Sequence, residues 1–138
     1  MAVIRGTRVI IHRRLFQKPL VLDLQKLPRR EGNDATDATG NEYELKTVNA
    51  RLTKSFSTHH LNPTIIKKYR EVTAWFFSVY EHIELSKIYR LTPAQLESFF
   101  TVWETKWKKD KKDINNPKIP LTFVEQNGHL VYPVATKP

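Results

Sequence analysis

Apolar side chains recur at steps of three and four between residues 62 and 83, which is the spacing that lines one face of a helix. The positions are Ile65, Tyr69, Val72, Phe76, Val79 and Ile83, with Trp75 and Tyr80 widening the stripe. Asn62 and Pro63 supply a cap and a proline at the first helical position. Because no glycine interrupts residues 84–90, the pattern predicts one helix over about 63–88 with its apolar face buried.

A second helix is predicted over about 93–110. Thr92, Pro93 and Gln95 have the spacing of a capping box with proline in the first turn. A broad, mainly aromatic stripe follows them: Leu96, Phe99, Phe100, Trp103 and Trp107. Only residues 89–92 connect the two predicted helices. So short a connection predicts that the helices pack antiparallel with their apolar stripes facing each other. The pattern leaves open whether Trp107 ends the core stripe or is free to stack on a ligand.

Two apolar runs near the C-terminus, 121–126 and 129–132, are separated by Asn127 and Gly128. Asn-Gly between such runs is typical of a two-residue hairpin turn. The turn predicts a β-hairpin over about 121–132. The predicted fold class is therefore α+β: an antiparallel helical pair with a C-terminal β-hairpin and an extended basic N-terminal arm.

The N-terminal arm, residues 1–30, carries eight Lys and Arg residues against the single acid Asp23. Residues 7–12 and 20–24 have the composition of short extended segments. The arm either lies on the helical pair with its charges solvated or follows the phosphates of a partner. Residues 31–44 reverse the charge and predict an acidic loop, which leaves residues 45–138 as a small α+β domain.

Composition narrows the function classes. The formal net charge of +9, from 23 Lys and Arg against 14 Asp and Glu, favours an anionic partner. The absence of cysteine argues against a disulfide-stapled secreted domain and a thiolate zinc site. No apolar run approaches the length of a membrane span.

Candidate catalytic residues do not form a known motif. Glu81, His82 and Glu84 are close in sequence, but neighbouring positions on a helix do not converge, and no nucleophile elbow, phosphate loop or HExxH pattern accompanies them. The adjacent His59 and His60 point apart and lack a further ligand at zinc spacing. The sequence alone therefore predicts a protein that is not an enzyme, with no catalytic residue, metal site or cofactor.

The basic arm, the small helical core and the basic run at 106–112 together resemble a ribosomal protein, and the Arg-rich start with a cysteine-free body is similar in kind to mitochondrial ribosomal proteins. The resemblance implies a structural component of a ribonucleoprotein that contacts rRNA and neighbouring proteins. The RNA-binding candidates are its basic residues: Arg5, Arg8, Arg13, Arg14, Lys18, Arg29, Arg30, Lys106, Lys108, Lys109, Lys111 and Lys112. An Arg-rich, acid-poor start is also typical of mitochondrial targeting, so the expected location is the mitochondrial matrix, or otherwise the cytoplasm. A stand-alone nucleic-acid-binding regulator and a small adaptor subunit remain as alternatives.

Overall fold

The computed structural model describes residues 2–5, 8–11, 20–22, 25–26 and 35–133. In chain order the elements are β1 (Ala2–Arg5), β2 (Arg8–Ile11), β3 (Leu20–Leu22), β4 (Gln25–Lys26), β5 (Ala35–Thr36), β6 (Glu42–Asn49), β7 (Ser55–Ser57), α1 (Pro63–Glu71), β8 (Ala74–Glu81), β9 (Glu84–Leu91), α2 (Pro93–Asp110), β10 (Lys118–Pro120), α3 (Leu121–Asn127) and β11 (His129–Tyr132). Helices and a mixed sheet make the fold α+β, which confirms the predicted class.

The main sheet has six strands in the order β11-β9-β8-β6-β5-β4. β6 and β8 are parallel, whereas the other neighbouring pairs are antiparallel. Helix α1 lies in the connection between the two parallel strands. Strands β7 and β10 form a separate antiparallel pair, and β1, β2 and β3 form a three-stranded antiparallel sheet.

The predicted helix over 63–88 is wrong beyond residue 71. Helix α1 ends at Glu71, and the rest of the stripe forms the hairpin of β8 and β9. Strand β8 is buried along nearly its whole length, so no polar alternation marks it as a strand, and its apolar run also fits helical spacing. Ile83, which the predicted stripe makes a buried residue, lies in the hairpin turn and is 84% exposed, whereas the polar Ser78 is buried.

Helix α2 covers Pro93–Asp110, the range that the capping box and the stripe predict. Thr92 accepts from the Gln95 backbone, and the Gln95 side chain accepts from the Thr92 N–H, at 2.8 Å. Leu96, Phe100 and Trp103 are buried against α1 and one face of the main sheet. The other face carries a smaller core around Tyr80, Leu85 and Ile88. Within the described ranges, no helix has the length and apolar character needed to cross a bilayer.

The predicted C-terminal hairpin is also wrong. Residues 121–127 form helix α3, and β11 pairs with β9 instead of with its sequence neighbour. The Asn127 side chain donates to the Phe123 carbonyl at 2.9 Å, and the Gly128 N–H donates to Val124 at 2.8 Å. Gly128 has φ of −82°, so it closes a helix and does not adopt the positive φ of the predicted turn.

The predicted acidic loop, residues 31–44, contains strand residues in its described part. Strand β5 and the start of β6 lie within it, and the turn between them covers only residues 37–41. In the predicted arm, β2 and β3 fall within the two segments expected to be extended. The division of the chain at residues 30 and 44 stays a prediction.

Candidate active site and nucleic-acid interface

Strand β6 places a carboxylate and an ammonium group on one buried face. Glu44 and Lys46 are two residues apart, so their side chains point the same way, and the register of β6 with β8 sets them opposite Trp75 and Phe77. Glu44 is 2% exposed and Lys46 is 8% exposed. The Lys46 Nζ lies 3.7 Å from the Glu44 Oε1. Charged groups are rarely buried unless they are paired or have a function.

Two aromatic rings flank the Lys46 ammonium group. Its Nζ is 5.8 Å from the centre of the Tyr69 ring and 5.9 Å from that of Trp75, both within cation–π range. The Trp75 Nε1 donates to the Tyr69 carbonyl at 3.3 Å, which fixes the strand β8 ring against α1. The amine is therefore held by a strand, a helix and a second strand, in surroundings from which most water is excluded.

A carboxylate in the turn before β6 has a different role. Asp37 accepts hydrogen bonds from the Thr39 hydroxyl at 2.8 Å, the Asn41 N–H at 3.0 Å and the Tyr43 hydroxyl at 2.9 Å. Desolvation raises the pKa of Asp37, but these hydrogen bonds outweigh it and hold that pKa well below its ordinary value. Asp37 is therefore an ionised acceptor that shapes the turn and keeps β5 paired with β6.

Two surface loops meet beside the start of α1. Leu61 and Ile114 exchange backbone hydrogen bonds of 2.9 Å in both directions, and the Thr58 N–H donates to the Pro117 carbonyl at 3.1 Å. The exposed polar residues of these recognition loops, 58–62 and 114–117, are His59, His60, Asn115 and Asn116. Imidazole and amide groups both donate and accept hydrogen bonds, as base edges require.

Helix α1 connects the recognition loops with the buried charge pair. Asn62 caps it by accepting from the Ile65 N–H at 3.0 Å, and Tyr69, near its end, is the ring beside Lys46. At 1.5 Å per residue the two positions are separated by roughly 10 Å along the helix. The exposed imidazole and amide groups and the buried charge pair thus lie at opposite ends of α1.

The basic residues predicted from sequence fall in three places. Arg5 and Arg8 belong to β1 and β2. Five of them lie outside the described residues: Arg13, Arg14, Lys18, Arg29 and Arg30. The remaining five are exposed at the end of α2 and just after it: Lys106, Lys108, Lys109, Lys111 and Lys112. As phosphate contacts, all twelve remain proposals.

Sequence reasoning missed Glu44 and Lys46 because it placed Glu44 at the end of a loop. The signal was the alternation in residues 44–48, where two charged residues share a strand face with the apolar Val48. It also treated Trp107 as undecided. That ring is half-buried against the core, and the Lys111 ammonium group lies 5.6 Å from its centre.

Within residues 35–133 and the described strands before them, no three His, Cys, Asp or Glu side chains are grouped closely enough to hold a metal ion. Glu44 supplies one oxygen ligand of the kind that hard divalent cations prefer. At this position the described residues place one buried carboxylate, Glu44, with the positive side chain of Lys46 next to it.

A family model described as Restriction endonuclease PvuII matches residues 12–132, which include the whole of β6 and both recognition loops. This match overturns the resemblance to a ribosomal protein and the inferred structural role in a ribonucleoprotein, because the family is one of nucleases. The prediction that the chain is not an enzyme is likewise wrong. The predicted partners, rRNA and neighbouring proteins of an assembly, are also wrong, because a restriction endonuclease family binds DNA. The chain belongs to the restriction endonuclease PvuII family.

Proposed function

We propose that this chain is a DNA endonuclease whose chemical centre is the Glu44–Lys46 pair and whose recognition loops read base edges. The observation that carries the proposal is the buried pair itself: a carboxylate and an ammonium group 3.7 Å apart on one strand, flanked by aromatic rings. Burying two charges is costly for a fold. A site that must bind a cation and stabilise a phosphate accounts for that cost.

The reaction is hydrolysis of a phosphodiester. Water forms a bond to phosphorus, the bond from phosphorus to the leaving deoxyribose oxygen breaks, and that oxygen takes up a proton. Negative charge grows on the phosphoryl oxygens in the transition state. The Lys46 ammonium group would stabilise this charge, and its fixed position means that little reorganisation is needed during the step.

Glu44 would serve as an oxygen ligand for a divalent cation. When bound, such an ion supplies a Lewis acid for the phosphate and a bound water with a lowered pKa. Asp34 directly precedes Ala35 in the sequence, and Ala35 pairs with Tyr43 next to Glu44. Asp34 lies outside the described residues, and we propose it from this adjacency as a second carboxylate.

The test is cleavage of supercoiled plasmid DNA in the presence of Mg²⁺. We expect Glu44→Gln, Lys46→Met and Asp34→Asn to abolish nicked and linear products, whereas Glu125→Gln and Lys87→Met, at exposed positions, keep them. Calorimetric titration with Ca²⁺ gives a readout besides activity, and Glu44→Gln should weaken the binding that the wild type shows. Normal cleavage by Glu44→Gln would overturn the assignment of the site.

Base reading by the recognition loops is tested separately. Asn115→Ala and His60→Ala should lower cleavage of the preferred sequence by about tenfold or more, because a good pair of hydrogen bonds to a base contributes about 1–3 kcal/mol of discrimination. Cation binding measured by calorimetry should be unchanged in both. Equal loss on all DNA sequences would mean that these residues hold the backbone and do not read bases.

A further inference from the structure

A cluster of five lysines at the end of α2 is not needed by the chemical centre described above. The lysine cluster consists of Lys106, Lys108, Lys109, Lys111 and Lys112, all exposed. In the described part of the chain none of the five forms an ion pair with a carboxylate. Residues 106–112 hold these five lysines and the single acid Asp110. The positive charges in excess repel one another, so an anionic partner would relieve an electrostatic cost.

Stabilisation of the helix end explains only part of the cluster. Lys108 and Lys109 lie in the last turn of α2, where positive charge complements the helix dipole. The last turn is already closed by Lys111, which adopts φ of 55° and donates its N–H to the Trp107 carbonyl at 2.7 Å. Lys111 and Lys112 follow Asp110, the last residue of α2, so the helix dipole does not by itself account for their charges.

The chain leads directly from the lysine cluster into the recognition loops. Ile114 is hydrogen-bonded to Leu61 through the backbone. Lys112 is two residues before Ile114, so the Cα atoms of Lys112 and Ile114 are at most about 7 Å apart. Lys106 lies six residues earlier, roughly 9 Å further away at helical rise. Each strand of a duplex carries one phosphate per about 3.4 Å of helix axis, so the cluster would reach phosphates a few positions outside the bases that the loops would read.

We propose that the lysine cluster binds the phosphate backbone of duplex DNA flanking the recognised bases and supplies affinity that is independent of sequence. The proposal rests on the proposed function, because it assumes that the loops hold DNA. The Lys111 ammonium group is held over the Trp107 ring at 5.6 Å, which gives the cluster one fixed member. The flexible side chains of the others suit contacts to phosphates at several registers.

The experiment measures DNA binding against salt concentration for the variant Lys109→Gln/Lys112→Gln. Each phosphate contact contributes about −0.9 to the slope of log K against log salt, so the slope on a long duplex should become shallower by about 1.8. The matched control is Lys67→Gln/Lys87→Gln, which removes two exposed lysines from α1 and β9 and should leave the slope unchanged. Melting curves confirm that each variant is folded.

A short duplex that ends at the recognised bases locates the contact. On this short duplex the phosphates that the lysines would contact are missing. The salt slope of the wild type should therefore be shallower than on the long duplex and equal to that of Lys109→Gln/Lys112→Gln. The proposal would be overturned if the variant had the wild-type slope on the long duplex, or if wild type and variant still differed on the short one. Plasmid cleavage by the wild type would in that case still support the proposed function. If the wild type neither binds nor cleaves duplex DNA, both proposals fail.

Discussion

Arg70 and Glu97 join α1 to α2 through a two-point ion pair, in which the guanidinium Nε lies 2.9 Å from Oε1 and Nη2 lies 2.7 Å from Oε2. The same guanidinium also contacts Glu104, seven residues after Glu97 in α2, with Nη2 at 2.7 Å from Oε1. The planar fork of arginine suits this double contact in a way that an ammonium group does not. One side chain thus fixes the position of the helix that carries Tyr69.

Removal of this arginine should weaken the helix pair. We expect Arg70→Met to lower the free energy of unfolding by about 1–2 kcal/mol, because partly exposed but well-formed ion pairs contribute more than single surface pairs. Lys67→Met is the control, since its contact with Glu71 is 3.9 Å long and both side chains are largely exposed. Chemical denaturation measures both variants, and equal losses would contradict a special role for Arg70.

The same cluster predicts a dependence of stability on pH. Hydrogen bonds from Arg70 lower the pKa of Glu97 and of Glu104 below the ordinary value of 4.5, and those carboxylates raise the pKa of Arg70. A carboxylate with a lowered folded-state pKa stabilises the fold above its ordinary pKa, and that contribution is lost as pH falls through the lowered value. The difference in unfolding free energy between wild type and Arg70→Met should therefore be full at pH 7 and shrink below about pH 4.5. A difference that stayed constant down to pH 3 would be inconsistent with ion pairing.

The centre of the main core is an aromatic group on β8. Phe77 is fully buried, with ring centres 4.8 Å from Phe56 and 5.8 Å from Trp75. Phe77→Ala should cost about 3–5 kcal/mol, whereas Ile83→Ala, in the exposed hairpin turn, should be close to neutral. Thermal melts distinguish them. A helix through residue 88 would make Ile83 a core residue, so a large loss at Ile83 would favour that interpretation.

Gly128 is required by close packing and not by its backbone angle. A Cβ there would lie 2.6 Å from the Val124 carbonyl oxygen, 2.8 Å from a Leu91 methyl group and 3.0 Å from the Tyr89 Cβ. Gly128→Ala should cost about 1–3 kcal/mol, the range for overpacking. Gly40→Ala tests the opposite case, since Gly40 has φ of 88° with open space around it and should cost about 1 kcal/mol from backbone strain alone. If Gly128→Ala were neutral, the end of α3 would not lie as closely on β9 as these distances indicate.

The elements that sequence predicted correctly are those fixed by local contacts. The capping box at Thr92 and the stripe to Trp103 belong to one segment, so α2 could be read within residues 92–110. Strand β8 depends instead on pairing with β6, which lies some thirty residues earlier in the chain. The local spacing of apolar residues carries no information about such a distant partner strand. An apolar run that is buried on both faces is compatible with a helix and with a strand.

The candidate site was hidden for the same reason. Glu44 and Lys46 look like ordinary surface charges until β6 is known to be a strand with one face covered by α1 and α2. Asn127 and Gly128 show the reverse error, since a strong local turn signal was overridden by the packing of Gly128 on β9.

The parallel pairing of β6 with β8 also means that the surroundings of the Glu44–Lys46 pair depend on contacts between distant parts of the chain. The surroundings of Lys46 are completed by Tyr69 and Trp75, which lie more than twenty residues further along the chain. Contacts over such separations form slowly because closing the intervening loop costs conformational entropy before the contacts stabilise it. A chain in which β6 has formed but has not paired with β8 therefore holds both charged side chains without Trp75 beside them, and the proposed centre is assembled only when this long-range pairing is complete.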